Sequence, residues 1–141
     1  MVKRDDKWLL FRLDHIWSNH FSDIDATNKI FIKFGKFARL RLGSIRLNRK
    51  SGATLITITS MFKEEKIPIE VIDHTIAHEL SHYTHGFSSL HKRKFHHPHV
   101  GGVVQKEMVG RGMGKIILEY KKWIKGYKSD LKKHYERRTW H

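Results

Sequence analysis

The five residues His78-Glu79-Leu80-Ser81-His82 carry the chemistry most readily read from this chain. Two histidines four apart on a helix project from one face, a turn apart. Both imidazoles then reach a single zinc ion at about 2.0–2.1 Å. Glu79 follows the first histidine and points beside the metal, where its carboxylate can hold a water molecule. Zinc lowers the pKa of such a water toward about 7, and the carboxylate takes its proton as the oxygen attacks a carbonyl. The spacing predicts zinc-dependent hydrolysis, with His78 and His82 as ligands and Glu79 as general base. The competing explanation is a solvent-facing helix that happens to carry histidines, of which the chain has 12. Against it, the apolar Ile72, Ile76, Ala77 and Leu80 give the same helix a face to bury.

A tetrahedral catalytic zinc takes three protein ligands and leaves one position open. There are no cysteines, which excludes disulfides, thiolate sites and iron–sulfur clusters, so the third ligand is a nitrogen or a carboxylate. His85, His91, His96, His97, His99 and Glu107 are the candidates. His85 stands close to the end of the same helix and suits a capping role better. The metzincin extension would need Gly at 85 and His at 88, where this chain has His85 and Ser88. That class is set aside.

The elements that must hold these residues follow from hydrophobic periodicity. Lys7 to Phe21 has a helical pattern through Trp8, Leu9, Phe11, Leu13, Ile16, Trp17 and Phe21. Ile30–Phe34, Ala38–Leu42 and Thr54–Thr59 are β-branched or alternating. Gly35, Gly43-Ser44 and Asn48-Arg49-Lys50-Ser51-Gly52 separate them as turns, the last as a hairpin between Ser44–Leu47 and Thr54–Thr59. The active helix should open near Pro68, suited to a first helical position, and close at Gly86. Residues Phe87 to His97 read as loop, and Pro98 opens a short helix through Met108. A long basic helix runs from Lys115 to Arg137, its apolar stripe being Ile116, Tyr120, Trp123, Tyr127, Leu131 and Tyr135. This order is that of an α+β chain, and 141 residues suit one domain.

The stretch from Ile67-Pro68 to Ser81-His82 resembles the active helix of SprT-like metallopeptidases, relatives of the DNA-dependent protease Spartan. The YgjP-like zincins, a sister group, have a similar helix. Leu42-Gly43-Ser44-Ile45-Arg46-Leu47 and Leu55-Ile56-Thr57-Ile58-Thr59 are similar to the hairpin that precedes it, and Trp17-Ser18-Asn19-His20-Phe21 to the end of its first helix. The resemblance spans about residues 8–110 and is specific only in the active-site motif. It implies a zincin-like fold with a small antiparallel sheet, and a SprT-like domain over 1–141 with 115–141 as a basic helical extension. It implies proteolysis, and a third ligand from a His-Gly-Pro-x-aromatic segment. His96-His97-Pro98-His99-Val100 stands in that place, with His97 where the pattern has Gly and Val100 where it has an aromatic. The match puts the ligand on His96. A shift to His97, the nearby His99, and His91, closest to the YgjP-like position, remain open.

The net charge of +14 points toward a polyanion, most often nucleic acid, with a solvated basic surface as the plain alternative. Between Lys115 and Arg138 nine Lys and Arg face three Asp and Glu. Lys121, Lys122, Lys125 and Lys128 are candidate phosphate contacts. Trp123, Tyr127 and Trp140 could stack on bases, which would favour single strands, although the first two fit the core equally well. The family's link to DNA implies a protein substrate bound to DNA. The alternative is a nucleic-acid-binding module with a vestigial or structural zincin core; an intact Glu79 argues against it. A third reading is a zinc hydrolase of other amide or ester bonds. No signal peptide and no apolar run of about 20 residues is present, so the expectation is a soluble, cytoplasmic protein without a membrane partner.

Overall fold

The computed structural model describes residues 2–139, and the side chains of residues 2–136. Helix α1 spans Asp6–His20, with Asp5 at its N-cap accepting the Trp8 N–H at 2.9 Å. It buries Leu9, Leu13 and Ile16. Three strands follow: β1 (Ile30–Phe34), β2 (Gly43–Leu47) and β3 (Thr54–Ile58). A short 3₁₀ turn at Ser60–Lys63 leads to α2 (Ile69–Thr84), and a second at Val100–Gly102 leads to α3 (Val103–Gly110). Helix α4 covers Gly114–Thr139. The architecture is α+β, with four helices and a three-stranded sheet.

The sheet is mixed rather than antiparallel, which corrects the expectation. Strand order is β1-β3-β2. β2 and β3 form the expected hairpin, with Gly43 opposite Ile58 and Leu47 opposite Thr54. β1 runs parallel to β3, Ile30 opposite Thr54 and Phe34 opposite Ile58. Residues 38–42, expected as a strand, are not one. Both edges of β3 are already taken, so this segment crosses the end of β3 instead. There the N–H of Gly35 donates to the Ile58 carbonyl, that of Thr59 donates to Leu42, and Ala38 exchanges hydrogen bonds with the Thr59 hydroxyl. That crossing returns the chain to run β2 opposite to β1.

The core lies between the sheet and α2, closed by α1, α3 and the first half of α4. Ile56, Ile58, Phe62, Ile72, Ile76 and Leu80 are among its fully buried members. Two arginines pin α2 in ways a hydrophobic pattern does not reveal. Arg12 on α1 makes two hydrogen bonds to the Asp73 carboxylate, at 2.9 and 2.6 Å. Arg4 donates to the carbonyls of Phe62, Glu64 and Ile67, fixing the approach to α2. Pro68 stands at the N-cap with extended backbone rather than at the first helical position, and its carbonyl takes the Val71 N–H.

The end of α2 is a Schellman closure. Phe87 N–H reaches back to the His82 carbonyl and Gly86 N–H to that of Tyr83, with Gly86 at φ +85. A Cβ at Gly86 would come within 2.6 Å of the Arg93 backbone, so only glycine fits both the turn and the returning loop. The short helix expected from Pro98 starts later. Gly101 and Gly102 both have positive φ, and regular helix begins at Val103.

Candidate metal centre and cleft

His78, Glu79 and His82 all lie on α2, whose opposite face carries the buried Ile72, Ile76 and Leu80. Helical periodicity thus turns both imidazoles away from the core toward a cleft of about 530 Å³, bounded across from α2 by β2. Nε2 of His82 lies 3.1 Å from Nε2 of His78, which lies 3.3 Å from Nε2 of His99. These three residues form a group able to hold a metal ion.

The spacing fits that use. Two nitrogens each about 2.0–2.1 Å from a tetrahedral ion such as zinc are about 3.3–3.4 Å apart. The chemistry fits as well, since three basic nitrogens turned toward one another hold facing lone pairs that a cation satisfies. His78 and His82 are kept neutral: burial lowers their pKa values to about 4 and about 3, and each is lowered further by neighbouring imidazoles. His82 Nδ1 is buried without a hydrogen-bond partner among the described residues.

The third member is His99, one of the alternatives, and not His96. His96 and His97 are exposed and pack on each other, ring centroids 4.5 Å apart. His91 is held elsewhere, with Nε2 2.9 Å from the Asp25 carbonyl and its ring edge-on to Tyr83. His85 is the C-cap of α2, and its Nε2 lies 2.7 Å from Glu107 Oε1, so neither of these two candidates joins the cluster. His99 arrives at the site because the Gly101-Gly102 turn joins it directly to α3, whose Val104 and Met108 are anchored in the core. That glycine pair, followed by apolar residues at i and i+4, was the available signal.

Glu79 is 5% exposed, and its Oε2 is buried without a partner among the described residues. Burial raises its pKa to about 7, against the pull of Arg41. A cation between the histidines would stabilise the charged carboxylate and draw that value down. Three cleft residues were not identified as site residues from sequence: His74, Arg41 and Tyr120. His74 was legible in principle, since it continues the i, i+4 spacing of His78 and His82 by one turn. Tyr120 read only as part of an apolar stripe.

β2 forms the opposite wall and is an edge strand. Thr59 N–H bonds to Leu42 O, so by antiparallel alternation the backbone groups of Ser44 and Arg46 face β3. Those of Gly43 and Ile45 face outward. The Ile45 carbonyl accepts from Ser88 Oγ at 3.3 Å. A Cβ at Gly43 would meet Thr75 Cγ2 at 2.6 Å, which shows how closely β2 lies on α2.

On α4, Lys121, Lys122, Lys125 and Lys128 are exposed, and Lys122 pairs with Glu119 at 3.5 Å. Trp123 and Tyr127 are committed to packing. Trp123 lies edge-on to Phe62 and stacks on Tyr127, whose hydroxyl donates to the Arg39 carbonyl at 2.6 Å. Trp140 lies outside the described residues. No helix among the described residues is long and apolar enough to cross a membrane. Comparison with protein-family models, curated proteins and solved structures returned no match.

Proposed function

We propose that this protein is a zinc-dependent metallopeptidase of the SprT-like, zincin type, hydrolysing peptide bonds in proteins bound to DNA. The observation that carries the reading is the convergence of His78, His82 and His99 Nε2 atoms beside the buried carboxylate of Glu79, whose Oε2 has no partner among the described residues. A structural metal would need no carboxylate there, so the arrangement favours an enzyme over a vestigial core.

Zinc held by the three histidines would lower the pKa of a water and polarise a carbonyl. Glu79 orients the attacking water and accepts its proton. As the C–N bond breaks, the same carboxyl passes that proton to the leaving amine. An extended peptide can lie along β2, using the outward backbone groups of Gly43 and Ile45 as an added strand would. That favours a peptide over a small amide or ester.

The nucleic-acid part of the reading is supported by the +14 net charge and by the four exposed lysines of α4. Tyr127 ties α4 to the segment that carries Arg39 and Arg41, and Arg41 borders the cleft. Cations on both elements would bring a DNA-bound protein toward the site.

The test is Glu79→Gln, which keeps the shape and removes the proton acceptor. Zinc content measured by elemental analysis should stay near one per chain, while cleavage of an unfolded protein falls by about 10² or more. Equal cleavage by mutant and parent would remove the reading.

A further inference from the structure

His74 lies one turn before His78 on α2, on the same face. Its ring lies flat on Tyr120 of α4, centroids 3.6 Å apart and planes 2° from parallel. His74, His78 and Tyr120 line both the main cleft and a hollow of about 280 Å³ behind it, floored by Met108 and Ile117. Among the described residues, neither nitrogen of His74 nor the Tyr120 hydroxyl has a hydrogen-bond partner. The ring is half-buried and its unpaired nitrogens are not sealed from solvent, so they stay open to a molecule in the cleft. The stack fixes the ring plane, so only the ring edge, which carries the nitrogens, is left to meet a ligand.

We propose that His74 is the hydrogen-bond donor that takes the carbonyl oxygen of the substrate amide as that oxygen gains negative charge. Tyr120 is a positioning residue that holds the imidazole flat. This assignment rests on the peptidase reading. When water adds to the carbonyl carbon, the π electrons move onto the oxygen, and the His74 N–H hydrogen-bonds to it. When the C–N bond breaks, the carbonyl re-forms and the leaving nitrogen takes the proton held by Glu79. His74 keeps its own proton throughout. Burial, and after it Lys121, which borders the hollow, disfavour a second proton on the ring, so the donor is the neutral imidazole. Such a donor is worth more in the transition state than in the ground state, because charge develops on the oxygen only there.

The test uses the full zinc-loaded chain and a fluorogenic peptide. His74→Phe keeps a flat ring against Tyr120 and removes the donor. We expect kcat to fall by about 10²-fold, KM to change little, and zinc content to stay the same. Affinity for a phosphinic peptide, which presents a tetrahedral centre with a charged oxygen, should fall in parallel by calorimetry. Tyr120→Ala, which removes the stack, should lower kcat, and Tyr120→Phe, which keeps it, should recover most of that loss. His74→Gln keeps a donor without the ring and should outperform His74→Leu; the reverse order counts against the assignment. Parent-like kcat and phosphinate affinity in His74→Phe would overturn it while leaving the peptidase reading intact. If the parent and Glu79→Gln are equally inert, the peptidase reading falls first and takes this role with it.

Discussion

At the scale of single residues, the histidine cluster divides into a part set by local geometry and a part set by tertiary geometry. His78 and His82 share a face because they sit four apart on one helix, and any sequence reader can see that. The third histidine comes from a loop whose path depends on Gly86, Gly101 and Gly102, and spacing alone cannot choose among His91, His96, His97 and His99. The structure brings His99 to 3.3 Å from His78, while His96 packs on His97 in the exposed loop. His99→Ala should therefore weaken zinc binding by about 10² or more, since one of three protein ligands is lost. His96→Ala should leave it within a few-fold. A competitive chelator titration of both variants distinguishes them, and equal losses would return His96 to the ligand set.

At the scale of elements, the helices were legible because their apolar stripes run for several turns. α1, α2 and α4 fall within a few residues of their expected bounds. Ala38–Leu42 was misread because alternation reports a tendency to extend, while membership of a sheet needs a free edge. β3 had none left once β1 paired with it. In α4 the stripe was right, and of the two uses open to Trp123 and Tyr127, stacking on bases or packing in the core, the structure shows packing, against Phe62 and Arg39. The lysines remain outward, which gives the element its own prediction. Changing Lys121, Lys122, Lys125 and Lys128 together to Glu should greatly weaken binding of single-stranded DNA and leave zinc in place. The slope of log affinity against log salt should become shallower by up to about 3, at roughly 0.7 per phosphate contact on a single strand. Fluorescence anisotropy across a salt series measures both. Unchanged affinity would reduce the charged face to a solvated one.

At the scale of the whole molecule, packing α4 on α2 has an energetic signature in acid. Burial lowers the His74 pKa from about 6.5 to about 4, aided by Lys121, with Tyr120 stacked on it and His78 one turn away. The unfolded chain thus binds this proton first as pH falls. Stability is full above about 6.5 and drops between there and about 4, by up to about 1.4 kcal/mol per pH unit for this one group. Thermal melts of the zinc-free protein should show that loss added to those of His78 and His82, and His74→Phe should make it shallower by one group's share. A His74→Phe melt series with the parent's pH dependence would place the titration elsewhere. The parallel pairing of β1 with β3 carries a different consequence, one of timing. During synthesis β1 leaves the ribosome with α1 to pack on but no strand to join, because β3, its partner strand among the described residues, is made after β2 and the hairpin turn. The hairpin, being local, closes first and β1 must wait to dock on it. His99 emerges later still, after the sheet and α2 have been made, so a cation held by the three histidines would meet a framework already assembled.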